Sequence, residues 1–173
     1  MNVKRNLLII LFFALFSNYL KSQSVEYFVK ASLIEKFARF TEWEPNTIGG
    51  NFVIGVLGKS PFYNELEKLS IKIKIKNKPV KILYLNNMED AKVCQVLFIC
   101  SSEKDNLPEI IKYLGNYNIL LVGDTEGFSE KGVHFNFYLE KNENIHFEIN
   151  VKALAKANLK TDMQLLSLGK ITK

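Results

Sequence analysis

Two histidines, two cysteines and one glycine-lysine-serine triplet are the residues of this chain whose types could do chemistry. His134 and His146 are its only histidines, and a shared metal ion would need both imidazoles near 2 Å from it. The segments around them alternate. Phe135, Phe137 and Leu139 alternate with His134, Asn136 and Tyr138, and Ile145, Phe147 and Ile149 with His146, Glu148 and Asn150. Period-two alternation on either side of Lys141-Asn142-Glu143 predicts a β-hairpin with one wet face. A three-residue loop sets the pairs 140/144, 138/146, 136/148 and 134/150. The imidazoles then share the polar face about 13 Å apart, too far for one ion, and both are expected exposed.

Cys94 and Cys100 flank a run, Gln95 to Ile99, that reads as a buried strand. Extended chain separates them by about 20 Å, whereas a disulfide needs Cα atoms within about 7 Å. Two free, buried thiols are expected. Gly58-Lys59-Ser60 resembles the tail of a phosphate-binding loop, but Val53 stands where that motif needs its first glycine, and Pro61 removes a backbone N–H. A plain strand-to-helix turn is the better reading. No G-x-S-x-G elbow is present, and no third group is placed to support either histidine. No catalytic residue, metal ligand or cofactor-binding residue is therefore assigned, and no cofactor is expected.

The chain opens with Lys4 and Arg5, an apolar run from Leu7 to Phe16, and small residues at Ser22 and Ser24. Basic start, short apolar middle and small-x-small end form the pattern of a cleaved secretory signal. The run falls short of the roughly 20 apolar residues of a membrane span. Residues 1–24 are expected to be removed, after Ser24 or alternatively after Ser22, leaving 25–173 as a single soluble, exported α/β domain. Lys4, Arg5 and Lys21 leave with the signal and no acid does, so the formal charge drops from +5 to +2. Arg39 is then the only arginine. Phosphate recognition leans on bidentate arginine, and nucleic acid is not expected as a partner. Lys72, Lys74, Lys76 and Lys78 alternate with Ile71, Ile73, Ile75 and Asn77 and read as a strand or edge with a solvated lysine face.

The elements that must position these residues follow from periodicity. Tyr27, Ala31, Ile34 and Ala38, widened by Phe28, Phe37 and Phe40, predict an amphipathic helix over 25–42 that Pro45 stops. Apolar runs predict strands at 52–57, 79–85, 93–100 and 118–122. Between them, helices are expected from Pro61 to Leu69 with Ser60 as N-cap, near Met88–Lys92, and from Asn106 to Leu114 with Gly115 as stop. After the hairpin, Asn150 caps a helix to about Ala157, Asn158 is a left-handed stop, and Thr161-Asp-Met-Gln164 is a capping box for a last helix through Leu168. The fold expected is an α/β three-layer sandwich. It has a mainly parallel central sheet, helices on both faces and a C-terminal antiparallel hairpin. Trp43, the sole tryptophan, has two readings: a core aromatic closing the first helix onto the sheet, or an anchor at an interface.

Several of these segments, in order, resemble the YfiR family of exported bacterial proteins. They are the helix Ala31-x-x-Ile34-x-x-Phe37-Ala38-x-Phe40-x-Glu42-Trp43, the strand and turn from Phe52 through Gly58, Pro61 and Phe62, and Cys94-x-x-Leu97-Phe98-Ile99. Gly127-Phe128-x-x-x-Gly132, Phe147-Glu148-Ile149-Asn150 and Leu165-Leu166 complete the set. Three departures stand out: Glu44 between Trp43 and Pro45, Val133 where the family has a second glycine, and no cysteines matching the disulfides of some members. The resemblance implies a non-catalytic periplasmic regulator. Such a protein binds the periplasmic sensor region of an inner-membrane signalling protein, a diguanylate cyclase of cyclic-di-GMP signalling or a sensor kinase, and controls its output. It also implies a homodimer and an envelope lipoprotein as a further partner. The expected contact residues are Tyr27, Phe28, Arg39 and Trp43 on the first helix, and Gly127, Phe128 and Gly132 in the loop. Gly58, Pro61, Phe62, Phe147, Glu148, Asn150, Leu165 and Leu166 are expected to serve the fold. The alternative is a periplasmic small-ligand binding module, with its site at the strand ends Gly58, Leu85-Asn86, Ser101-Ser102 and Gly123-Asp124.

Overall fold

The computed structural model describes residues 25–45, 48–140 and 144–172. The expected leader at 1–24 and the expected hairpin loop at 141–143 lie outside the described residues. Helix α1 runs over 25–40 and gives way to the two-residue strand β1, Thr41–Glu42. Then come β2 (Phe52–Leu57), α2 (Phe62–Ser70), β3 (Lys74–Ile75) and β4 (Lys78–Leu85). A 3₁₀ helix at Met88–Val93 leads to β5 (Val96–Ile99). The remainder is α3 (Leu107–Leu114), β6 (Leu120–Gly123), β7 (Phe135–Leu139), β8 (Ile145–Asn150), α4 (Val151–Lys156), β9 (Lys160–Thr161), α5 (Met163–Leu166) and β10 (Lys170–Thr172).

Eight strands form one sheet in the order β10-β8-β7-β6-β5-β2-β4-β3. The five strands β4, β2, β5, β6 and β7 are parallel, β8 runs antiparallel to β7, and β10 closes one edge parallel to β8. Two cores flank the sheet. Ala31, Ile34, Phe37 and Ala38 of α1 join Phe62, Leu66, Leu154 and Leu165 on one face. Leu107, Ile110 and Leu114 of α3 join Ala91, Phe128 and Val133 on the other. This is the three-layer α/β sandwich with a mainly parallel sheet and an antiparallel hairpin that the periodicities predict.

Phe37 anchors α1 to the hairpin, with its ring centroid 4.4 Å from Phe135 and 4.9 Å from Phe147. Each such fully buried ring is worth about 2–3 kcal/mol of transfer free energy. The hairpin register is the one the loop length sets: Asn136 faces Glu148 and Tyr138 faces His146, while Glu140 N donates to Asn144 O. Cys94 and Cys100 are free and buried. They sit in different cores, on opposite faces of the sheet.

Local departures have local causes. Helix α1 stops two residues early because Thr41 pairs with Thr161 and Glu42 with Lys160 in a separate two-stranded ladder. Strand β5 is shorter than expected, because Val93 ends a 3₁₀ helix and lies exposed. At α2 the Ser60 hydroxyl accepts from Phe62 N (3.2 Å), although Pro61 is the residue at the N-cap position. Asp162, not Thr161, caps α5 by accepting from Gln164 N at 2.7 Å, and α5 ends at Leu166 so that β10 can follow. The predicted stops and caps at Asn150 and Asn158 hold: Asn150 Oδ1 accepts from Ala153 N at 2.9 Å, and Asn158 has φ 54°. The lysine edge is the β3–β4 hairpin, turned by Lys76 (φ 49°) and Asn77 (φ 62°).

Candidate functional site

Parallel strands point their carboxyl ends to one side of a sheet, and here α1 and the loop after β6 meet there. The start of α1 contributes Glu26, Tyr27 and Lys30, while Asp124 and Gly127 follow β6. With the outer strands β7, β8 and β10 they enclose a cleft of about 840 Å³. Ser101 and Asp124, two of the strand-end residues expected to border a ligand crevice, line it.

Lys30 holds the two walls together. Its ammonium lies 2.7 Å from Glu26 and 2.8 Å from Asp124, and its side chain is almost wholly buried. Burial works against the charge, but Asp124 and Glu26 outweigh it, so the pKa lies above the usual lysine value. Tyr27 lies tilted against Phe62 at 5.8 Å, and Phe62 in turn lies 4.5 Å from Phe98 on β5. Across the cleft Lys170 pairs with Glu148 at 2.9 Å, in register between β10 and β8.

The expected contact residues divide into three groups. Tyr27 and Gly127 both line the cleft, and Phe28, which does not line it, is 56% exposed. Arg39 and Trp43 sit at the far end of α1. Arg39 pairs with Glu35 and donates to Lys74 O at 2.9 Å, while Trp43 stands edge-on to Phe52 at 5.3 Å, the core-closing arrangement. Phe128 does not present a surface, whereas Gly132 is half-buried and lines a shallow pocket with Lys131. Phe128 is fully buried in the second core, and Gly132 (φ +112°) would set a Cβ 2.9 Å from Ile111 Cγ2. Their work is to seat the loop. Asn150 ties the same loop down, its Nδ2 donating to Ser129 O at 2.7 Å and its backbone N–H to His134 O at 2.9 Å. Gly58 (φ +91°) keeps a turn that brings Lys59 N to Ser102 Oγ at 2.8 Å. Phe147 and Leu165 are core residues, and Pro61 starts α2.

His134 corrects an expectation. It is fully buried, not exposed, because β7 docks parallel to β6 and the preceding loop closes over its first residues. His134 N donates to Leu121 O (3.1 Å) while its Nδ1 accepts from Leu121 N (3.0 Å), so the ring stands in for a backbone carbonyl. Gln95 does the same at β5, where Val53 N donates to its Oε1 at 2.7 Å and its own N donates to Val53 O at 2.9 Å. Burial drives the His134 pKa down to about 3. His146, by contrast, stacks on Tyr138 at the partly open end of the hairpin. Burial also pushes both thiols up to about 12. A nucleophilic thiol needs a lowered pKa and a base needs one near neutrality; these groups are tuned the opposite way. Among the described residues no group of three or more His, Cys, Asp or Glu side chains could hold a metal ion.

Residues 27–170 match a family model described as YfiR/HmsC-like. No curated protein matches the chain. Among solved structures it is similar to a conserved domain protein from Vibrio cholerae O1 biovar El Tor, with a TM-score of 0.60 and 12% identity over 83% of this chain. It is also similar to an ABC domain in complex with L-Trp from Streptococcus pneumonia, with a TM-score of 0.52 and 10% identity over 80% of this chain. The chain spans 60% and 59% of those two solved chains, and the likeness is one of fold. No helix among the described residues is long and apolar enough to cross a membrane.

Proposed function

Because the chain belongs to the YfiR/HmsC-like family, we propose that it is a non-catalytic regulator working in the periplasm. Residues 1–24 act as the cleaved leader and 25–173 as the working domain. That domain binds the periplasmic part of an inner-membrane signalling protein, a diguanylate cyclase or a sensor kinase, and sets its output. The family match over residues 27–170 carries this reading. The exposed Phe28 ring near the start of α1 supports it, since aromatic side chains dominate the energetics of protein interfaces. The same surface serves a homodimer or an envelope lipoprotein that competes with the sensor.

Mild crosslinking of tagged protein in its own envelope, followed by identification of captured proteins, tests the reading. Recovery of an inner-membrane sensor, lost in the Phe28→Ser variant, is the expected result. Recovery of only abundant, unrelated envelope proteins would count against it. N-terminal sequencing of the mature protein tests export separately, because an intact Met1 rules out a cleaved leader.

A further inference from the structure

The charge of this molecule is concentrated on one edge of its sheet. Residues 68–88 hold six lysines and no acid, a formal +6 against +5 for the entire chain, which leaves the other residues at −1. These lysines belong to the end of α2, the turn after it, β3 and β4, and β3 is the terminal strand of the sheet. Lys72, Lys74, Lys76 and Lys81 are exposed. Lys68 pairs with Glu65 at 2.7 Å, and Lys76 Nζ donates to Arg39 O at 2.8 Å. The cleft is the counterpart: five of its lining residues are acidic and two are basic. One side of the protein is therefore positive and another negative.

Among the lysines stands Ile71, 82% exposed, the most exposed large apolar side chain of the described residues. It shares a groove of about 560 Å³ with Lys68, Val80, Lys81 and Ile82, where Glu67 is the one acid against two lysines. Tyr84, also exposed, lies further along β4, its ring 6.2 Å from Tyr63. β3 covers only the first two residues of β4, so no strand among the described residues flanks Val80–Leu85 on its outer side. Exposed apolar and aromatic side chains on the same edge as exposed lysines suit the interface of an anionic bilayer. The rings and the isoleucine enter the headgroup boundary while the ammonium groups meet lipid phosphates. Lysine is the residue for this kind of diffuse attraction, whereas bidentate recognition of a particular carboxylate favours arginine, and this segment has none.

We propose that the β3–β4 edge is a docking surface for an anionic phospholipid bilayer. Docking there confines the protein to the plane in which a membrane-embedded partner diffuses and leaves the start of α1 and the cleft at another part of the molecule. Co-sedimentation of the purified protein with vesicles tests it. Vesicles of phosphatidylcholine alone are compared with vesicles carrying about 30 mol% phosphatidylglycerol, at low salt and at about 0.5 M NaCl. The bound-to-free ratio is expected to be at least about tenfold higher on the anionic vesicles at low salt, and to collapse at high salt. Lys72→Glu with Lys81→Glu should abolish the excess, and Ile71→Ser should reduce it several-fold, with the Trp43 emission spectrum unchanged to show that the fold is intact. Equal ratios on both vesicles, an excess that survives high salt, or no binding to either would overturn the proposal. So would charge-reversal variants that still bind the anionic vesicles. Loss of crosslinked protein partners in the reversed variant without any vesicle effect would assign the edge to an acidic protein instead. Only protein and lipid enter the vesicle assay, so a negative result leaves the sensor-binding reading standing, and a failed sensor capture leaves the lipid result standing.

Discussion

Acid should weaken this fold through one histidine. His134 accepts from Leu121 N through Nδ1, so its proton is on Nε2, which has no hydrogen-bond partner among the described residues. A second proton would put a charge into the core and take away the acceptor. Its folded pKa of about 3 lies below the ordinary 6.5 of an unfolded chain. The unfolded state therefore binds more protons throughout the interval between the two values. Linkage then makes stability complete above about pH 6.5, falling as the pH drops, with the full loss reached below about pH 3. The loss from this residue is about 2 kcal/mol at pH 5 and about 3 kcal/mol at pH 4. His134→Asn provides the control, because the asparagine Oδ1 occupies the branch of Nδ1 and still accepts from Leu121 N. It lowers stability at neutral pH by about 1–2 kcal/mol through the lost ring volume. Its stability should nonetheless fall less steeply with acid, so the two proteins converge between pH 7 and pH 5. Urea unfolding followed by the emission of Trp43, the sole tryptophan, measures this directly. Every other titrating group is common to both proteins and cancels in the difference. A gap between them that stays constant from pH 7 to pH 5 would refute the buried neutral acceptor.

Lys30→Met should lower stability by about 3 kcal/mol at neutral pH, since it strands Asp124 and Glu26 around a half-closed cleft. Pairing it with Asp124→Asn in a double-mutant cycle should recover a positive coupling, read from urea midpoints. Cys94 and Cys100 should resist alkylation at pH 8 in the native protein and both react at once in denaturant without reductant, as counted by thiol titration. Gly132→Ala should cost about 1–3 kcal/mol, because it adds a left-handed strain to a clash with Ile111. A thermal melt unchanged from the parent would contradict the loop geometry. Phe128→Ala should cost about 3–5 kcal/mol in the same assay.

The hairpin register was legible because two local signals agree: alternation sets the faces, and the loop length sets which residues meet. The burial of His134 was not, because it depends on β7 docking beside β6, a pairing of Val122 with Phe135 that no short window contains. Strands β9 and β10 have two and three residues, too few for any periodicity, and they form only because Thr41 and Glu148 offer them edges. The cleft was half visible. Tyr27 stands out in the aromatic helix and Gly127 in the loop, and Ser101 and Asp124 follow from where parallel strands end. Lys30 read as one polar position among several, since its burial comes from Asp124, 94 residues away. Phe128 looked like a surface aromatic next to a glycine, but a crossover without a helix needs a side chain of its own to plug the second core.

The ladder between Thr41 and Thr161 spans 120 positions. A polypeptide is made from its N-terminus, so α1 emerges first and completes its contacts last. The rings that receive Phe37 arrive with the hairpin, and the strand that terminates α1 arrives later still. At about 5–20 residues per second that interval is about 6–24 s. Until the hairpin arrives, α1 has only part of its core, Phe62 and Leu66 among it, and the stripe around Phe37 stays uncovered. The topology thus delays closure of the ladder between Thr41 and Thr161 until nearly the whole chain has been made.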